Sequence, residues 1–467
     1  MATIIYQRKP LFDSSMVEMN EWDWKLFPET EAFLSGQIRS YLDGNRYAEM
    51  VRGEIENITS TRFIDWVDSL EIPDNIVSDQ DLLRLGYVKA SVISATGDVY
   101  VHDGGTFFPI VLRPDMEYRL SLKVDDLAHF LAANHLSHRT LGEKNAPLRS
   151  AELNREGSYS FQAVERRGSG PFDLHEATDI SEYSAALNLL SSRKRTFDDD
   201  VNGLKDLNDM ITGFADSLSP PRLADAFFRA ERNYWQTKNK AGKVQFKRQE
   251  LLGLGWANHD HHTYRCSREN FGDIISFFER MGLKRRERFF AGPQAGWGAQ
   301  VMEHPVSGQV VFADVDLGPE EGHTDLVGRK LEPLEKLGTV GLWVSLHGES
   351  VLGSGMHHLA VRSEFMGMRA ELKTRNVSSM APFSDFDFLK QSFTEAEHWF
   401  PPKERVERLL GARYVTDVQA SRFMEHGAIG SHLEIVQRNR GFKGFNQDSV
   451  SAVIRMTDPD RRSGIGA

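Results

Sequence analysis

The run Ser431-His432-Leu433-Glu434-Ile435-Val436-Gln437-Arg438 places a carboxylate in the middle of an apolar strand pattern. An ionised carboxylate buried in such a strand is costly unless a cation meets it. Any fold that takes this strand into its interior must therefore bring either a salt-bridge partner or a metal ion to Glu434. Two histidine clusters upstream favour the metal, and they limit the fold to one that gathers distant strands around a single point.

A chain of 467 residues is long enough for two or three domains, each with its own core. Its net charge of −11 argues against broad nucleic-acid binding, which needs clustered Lys and Arg. The first ten residues do not read as a signal peptide, and no apolar run is long enough to span a bilayer. A cytoplasmic protein with a small-molecule substrate, no nucleic-acid partner and no membrane contact is expected, with homo-oligomerisation left open. The single cysteine, Cys266, excludes an intrachain disulfide and a multi-thiolate zinc site.

Apolar spacing predicts helices over Glu31 to Tyr41 and Thr61 to Leu70, within a helical segment 1–82. Short alternating runs from Tyr87 onwards predict a sheet-containing domain over 83–179, and residues 180–250 read as a helical connector. The remainder, 251–467, shows two rounds of strand, helix and further strands. The first round opens at His259 to Cys266, with a helix from Asn270 to Met281 that Gly282 would stop, and strands at Gly298 to Glu303 and Val310 to Asp316. The second has a strand at His357 to Arg362 and a helix at Glu364 to Thr374. Its further strands are expected at Ala412 to Asp417, Arg422 to Glu425 and His432 to Gln437. A duplicated unit of this kind can close a sheet around a ligand.

Histidines mark the opening strand of each round. In Asn258-His259-Asp260-His261-His262-Thr263-Tyr264, strand alternation puts His259, His261 and Thr263 on one face and Asp260 and His262 on the other. Met356-His357-His358-Leu359 opens the second round in the same way. Two imidazoles and one carboxylate form a facial triad suited to non-haem Fe(II). His261, His358 and Glu434 are the expected ligands, with His259 the competitor of His261; His262 and His357 should face away. Pairing His259 with His261 as cupin ligands fails for want of a well-spaced acid, since Glu269 comes too late. Arg265 and Arg362 fall on the faces of the two ligand histidines, where a guanidinium could hold the acid end of a substrate.

These residues resemble the ligand motifs of 4-hydroxyphenylpyruvate dioxygenase, a member of the vicinal oxygen chelate superfamily. The likeness lies in Asp260-His261, in Gly355-Met-His-His358-Leu-Ala, and in Leu433-Glu434-Ile-Val-Gln-Arg438 followed by Gly441-Phe-Lys-Gly-Phe-Asn446. It covers about Leu251 to Asp458. The intervals from 261 to 358 and from 358 to 434 each suit one unit plus its connection. The resemblance implies an α+β fold in which paired βαβββ modules form an open barrel, with a helix-rich, degenerate and metal-free N-terminal half. It implies Gln437 as a catalytic residue, and Phe442, Phe445 and Asn446 as a gate over the pocket. The family's Pro-x-Asn-Glu-Pro strand is matched only by Phe312-Ala-Asp-Val-Asp316-Leu, which puts Asp316 in the pocket. Its Leu-Leu-Gln-Ile-Phe-Thr strand falls on Arg422 to His426, so the substrate pocket is expected to be rewritten.

The expected activity is that of a mononuclear Fe(II) dioxygenase that chelates a small organic acid, such as a 2-oxo acid, and consumes O2. Mn, Co or Zn in place of iron would suit an isomerase, epimerase or dehydratase on the same scaffold, with Glu425 or His432 as base. A small-molecule binding protein is a third class, but one that needs no triad.

Overall fold

The computed structural model describes residues 24–94, 96–170, 179–292, 295–318, 320–321, 326 and 330–446. The first ten residues, which do not read as a signal peptide, and the end of the family resemblance beyond 446 lie outside the described residues. Two sheets organise what is described. After two helices at Pro28–Gly44 and Arg46–Thr59 comes a seven-stranded sheet made of β1 (Val67–Pro73), β2 (Tyr87–Ile93), β3 (Asp98–His102), β4 (Ile110–Arg113), β5 (Tyr118–Val124), β6 (Leu148–Glu156) and β7 (Tyr159–Arg166). Their order across the sheet is β2-β3-β4-β1-β5-β7-β6.

Helices from Ile180–Ser192 to Lys240–Glu250 then lead to an eight-stranded sheet. Its strands are β8 (His259–Arg265), β9 (Lys284–Phe290), β10 (Trp297–Glu303), β11 (Val310–Asp316), β12 (His358–Arg362), β13 (Ser384–Phe386) and β14 (Leu389–Phe393), closed by β17 (His432–Arg438). Two short strands, β15 (His398–Trp399) and β16 (Ala428–Ile429), pair outside this sheet. The order β13-β14-β17-β12-β8-β11-β10-β9 reads as two mirrored units, each with parallel pairing of its first and last strands. The two first strands, β8 and β12, join the units antiparallel. Helix Phe271–Arg280 follows β8 and helix Phe365–Thr374 follows β12, so each unit is βαβββ.

The seven-stranded sheet repeats this wiring. There β1 runs parallel to β4, β5 runs parallel to β7, and β1 joins β5 antiparallel. Helices Asp79–Arg84 and Leu127–Ala133 follow β1 and β5, and the second unit has one strand fewer. The sheet therefore begins at Val67, inside the segment expected to be helical: Thr61 to Leu70 is a single 3-10 turn at Phe63–Trp66 running into β1.

Side-chain alternation decides what each face of the eight-stranded sheet does. Leu359, Val361, Leu433 and Ile435 are fully buried in the core shared with Phe277, Phe278, Phe365 and Met368 of the helices. Burying each such aliphatic side chain is worth about 1.5–3 kcal/mol, which fixes the register, since a one-residue slip would exchange the faces. His358 and Glu434 are thereby committed to the opposite, concave face. Gly282 ends the first helix with φ of +87°, as a left-handed cap requires.

Two expected strands of the second unit do not form: Ala412 to Thr416 is the turn that joins two helices, and Arg422 to Glu425 lies within the second of them. Lys403–Gly411 and Asp417–His426 are helices, the latter started by a capping box between Thr416 and Gln419. The strands that complete the unit are β13 and β14, and the two helices belong to an excursion between β14 and β17. Among the described residues no helix is long and apolar enough to cross a membrane.

Candidate metal centre

His261 and His358 come from adjacent strands, and Glu434 from the strand beyond. Ala360 lies in register with both His261 and Glu434, so only a methyl group stands between the two ligand-bearing strands. Glu434 Oε2 is 3.1 Å from His261 Nε2 and 3.0 Å from His358 Nε2, and all three side chains are buried. Ligand atoms about 2.1 Å from a common ion and at right angles to one another lie about 3 Å apart, so the set fits a small divalent metal. Among the described residues this is the one group of three such side chains whose ligand atoms all lie within 4.8 Å.

Each ligand is held from behind. Gln391 Nε2 donates to Glu434 Oε1 at 2.8 Å, leaving Oε2 for the imidazoles. Asp260 Oδ2 accepts from His261 Nδ1 at 3.0 Å, which fixes the tautomer with Nε2 free to ligate. His357 Nδ1 stands 3.0 Å from His358 Nδ1, and the Thr263 hydroxyl lies 2.8 Å from His358 Nε2, a contact that a bound metal would displace.

Alternation had assigned Asp260 to the opposite face from His261. A bulge overturns this: Val361 and Ala360 pair with His259 and His261, leaving Asp260 as the extra residue of β8. Its carboxylate meets Arg438 Nε at 2.9 Å, Arg362 Nε at 3.0 Å and His261. His259 turns away, with Nδ1 2.9 Å from the Trp256 carbonyl, so it does not compete with His261. His262, on the helix-packed face, contacts Arg232 and stacks near Phe228.

The charges are interlocked. Burial would raise the Glu434 carboxyl, but His261 and His358 hold it well below the usual range. Burial alone would depress His261, yet Glu434 and Asp260 push it up to about 9. Burial lowers His358. A single positive charge, a proton on His261 when no metal is bound, thus sits between two carboxylates, and a divalent cation is the natural replacement. Asp314, on the same face, is pushed up to about 7 by burial.

The other expected site residues divide. The Arg265 guanidinium lies 5.7 Å from the Trp343 ring centre on the ligand face. Arg362 is committed to Asp260. Phe445 meets His261 edge-on at 5.3 Å and Phe312 at 4.5 Å, covering the triad. Phe442 packs on Phe388, and Asn446 Nδ2 donates to the Phe383 carbonyl, so the segment crosses the barrel as a gate would. Gly441, with φ of +66°, lets this segment press against Phe107, whose ring a Cβ would strike.

Gln437 falls on the face opposite Glu434, and its Oε1 accepts from Phe365 N at 2.9 Å, capping a helix away from the triad. Asp316 accepts from the backbone N–H groups of Gly338, Val340 and Gly341 at the start of helix Thr339–His347, so its carboxylate is occupied there. Glu425 is exposed on its helix, 73% accessible, because the expected strand does not form. His432 shares the face of Glu434, with Nδ1 2.9 Å from the Thr394 carbonyl.

Asp260, Gln391 and Asp314 were missed as working residues. For Gln391 a signal existed: Leu389-Lys-Gln391-Ser-Phe-Thr394 agrees with the family's Leu-Leu-Gln-Ile-Phe-Thr strand at four positions. That strand is therefore present on β14 beside Glu434, and the assignment to Arg422–His426 was displaced by the helical excursion.

No protein-family model matches the sequence, and no curated protein does. Among solved structures, a triple mutant of 4-hydroxymandelate synthase from Streptomyces coelicolor is 15% identical, covering 73% of this chain and 98% of its own, with a TM-score of 0.31. Methylmalonyl-CoA epimerase from Mycobacterium tuberculosis is 11% identical over 39% of this chain and 88% of its own, with a TM-score of 0.23. A fusion of a xylose isomerase-like TIM barrel with 4-hydroxyphenylpyruvate dioxygenase is 12% identical over 88% of this chain and 56% of its own, at 0.22. What decides the fold is the strand order itself, with mirrored βαβββ units and the candidate ligands on their first and last strands. The carboxy-terminal half has the vicinal oxygen chelate fold. Its concave face carries the triad.

Proposed function

We propose that the protein is a mononuclear non-haem Fe(II) dioxygenase acting on a small organic acid, with a 2-oxo acid as the first candidate. The observation that carries this reading is the buried His261, His358 and Glu434 set, with a single carboxylate oxygen turned towards both imidazoles and the other held by Gln391. Three protein ligands leave coordination positions for substrate and O2. Iron bound there would supply Lewis acidity, a template and redox chemistry. Asp260 keeps His261 in the ligating tautomer, Phe445 excludes water from above, and Arg265 holds the acid end of the substrate.

Asp314 favours a second reading. A carboxyl pushed up to about 7 beside the triad can take and return a proton, as a metal-dependent isomerase, epimerase or dehydratase requires. Anaerobic purification, metal analysis, Fe(II) loading and a screen of 2-oxo acids for oxygen uptake separate the two. Uptake that depends on iron and substrate supports the dioxygenase. Turnover with Mn, Co or Zn and without uptake transfers the assignment to proton-transfer chemistry, and absence of stoichiometric metal defeats both. Glu434→Ala should abolish metal binding; a variant that keeps one metal per chain refutes the ligand set.

A further inference from the structure

The shared wiring of the two sheets allows their residues to be paired by register. Each antiparallel joint carries a one-residue bulge, at Asp260 in β8 and at Asp68 in β1. Matching the bulges sets Ser69 where His261 stands. Through β5, Arg119, Ser121 and Lys123 then correspond to His358, Ala360 and Arg362, and through β7, Gln162 and Arg166 correspond to Glu434 and Arg438. The N-terminal copy has thus lost the ligand positions to Ser69, Arg119 and Gln162. It has kept the aspartate with two cations beside it.

The two aspartate groups differ in one respect. Arg166 binds Asp68 through two hydrogen bonds of 2.7 and 2.8 Å, as Arg438 binds Asp260. Arg362 also reaches Asp260, but its counterpart Lys123 makes no hydrogen bond and has no carboxylate within 4.0 Å among the described residues. The Lys123 side chain is half-buried, and it faces a cleft between the sheets that Asp68, Arg166, Asp260, Arg362 and Arg438 also line. The cleft has a volume of about 320 Å³, and its lining holds more cations than carboxylates. Phe445 forms part of its wall and separates it from His261. An ammonium group withdrawn from bulk water and among other cations, whose neighbouring carboxylate Asp68 is already bound by Arg166, is a receptor for negative charge.

We propose that this cleft binds a small oxyanion, the phosphate or carboxylate group of a metabolite, with Lys123 as its counter-ion and Arg362 on the facing wall. The site lies outside the metal centre and does not depend on the reaction assigned there. The test is calorimetric titration of the full-length protein with inorganic phosphate and, separately, with citrate, at constant ionic strength. Saturable one-to-one binding of at least one probe is expected, and whichever binds more tightly identifies the group. Lys123→Met should weaken that binding at least about tenfold, while Lys123→Arg retains it. Should the methionine variant fail to fold, Lys123→Gln preserves length and polarity and carries the same expectation. Absence of saturable binding of either probe to the wild type, or unchanged affinity in a folded Met or Gln variant, overturns the proposal.

Discussion

Replacing Asp260 by Asn removes one negative charge without changing the shape of the side chain, at a point where two guanidinium groups and a candidate ligand converge. Arg438 approaches Asp260 through Nε and Nη2 at 2.9 and 3.0 Å, Arg362 through Nε at 3.0 Å, and His261 through Nδ1 at 3.0 Å. Every one of these groups is a donor, so the amide NH2 of Asn would have to face a donor wherever it points. Arg438 and Asp260 are each only 4% exposed, so water cannot stand in for the lost charge; Arg362, at 28%, keeps partial access to solvent. Breaking a buried pair by removing one partner costs about 3–5 kcal/mol, and the hydration of Arg362 places the expected loss near the lower end, about 3 kcal/mol. Freed from Asp260, the His261 ring loses its fixed tautomer, and metal affinity should fall by roughly 10- to 100-fold. Urea denaturation measures the first quantity, and competition with a chromophoric chelator the second. A folded Asp260→Asn protein with wild-type metal affinity would refute the orienting role, whatever its stability.

Ala360→Leu would put a branched side chain between His261 and Glu434, and metal stoichiometry should drop below one per chain while the far-ultraviolet dichroism is kept; full occupancy would show that the gap is not needed. Stability should also depend on pH. Burial pushes the carboxyls of Glu349 and Asp314 up to about 7, so the folded chain retains protons that the unfolded chain releases from about pH 4. The contribution of these two groups therefore falls as pH rises from about 4 to about 7 and then levels off. Glu349→Gln should remove up to roughly 3 kcal/mol of the difference between denaturation at pH 5 and at pH 8. An undiminished difference would place the titration elsewhere.

Much of the candidate metal centre was legible because its signal is chemical. A charge in an apolar strand, and histidines at the head of two similar segments, remain conspicuous whatever the surrounding structure does. The strands β8, β11, β12 and β17 and the helices that follow β8 and β12 were legible for a related reason, since burial on one face imposes a period that the chain displays directly. The failures have equally definite causes. Strands were expected at Ala412 to Asp417 and Arg422 to Glu425, but the Thr416 and Gln419 capping box starts a helix at Asp417 that takes in the second and leaves the first as its leading turn. Residues 384–393 form two short strands along the edge that β17 offers, and only the likeness of Leu389 to Thr394 to the family's strand marks them in the sequence. Nothing local marks β1 as a strand inside a helix-like stretch.

By itself the sequence determined that Glu434 needs a cation and that histidines of the clusters at 259–262 and 357–358 are its natural companions, because ligand chemistry is a property of residue type. The tertiary structure alone decided which side chains support them. The bulge that brings Asp260 beside His261, the edge strand that delivers Gln391, and the opposite face that takes Gln437 away from Glu434 all depend on strand pairing between residues far apart in the chain. The same pairing gives the N-terminal sheet the wiring of the second one, since register, and not residue identity, relates Asp68 and Lys123 to Asp260 and Arg362.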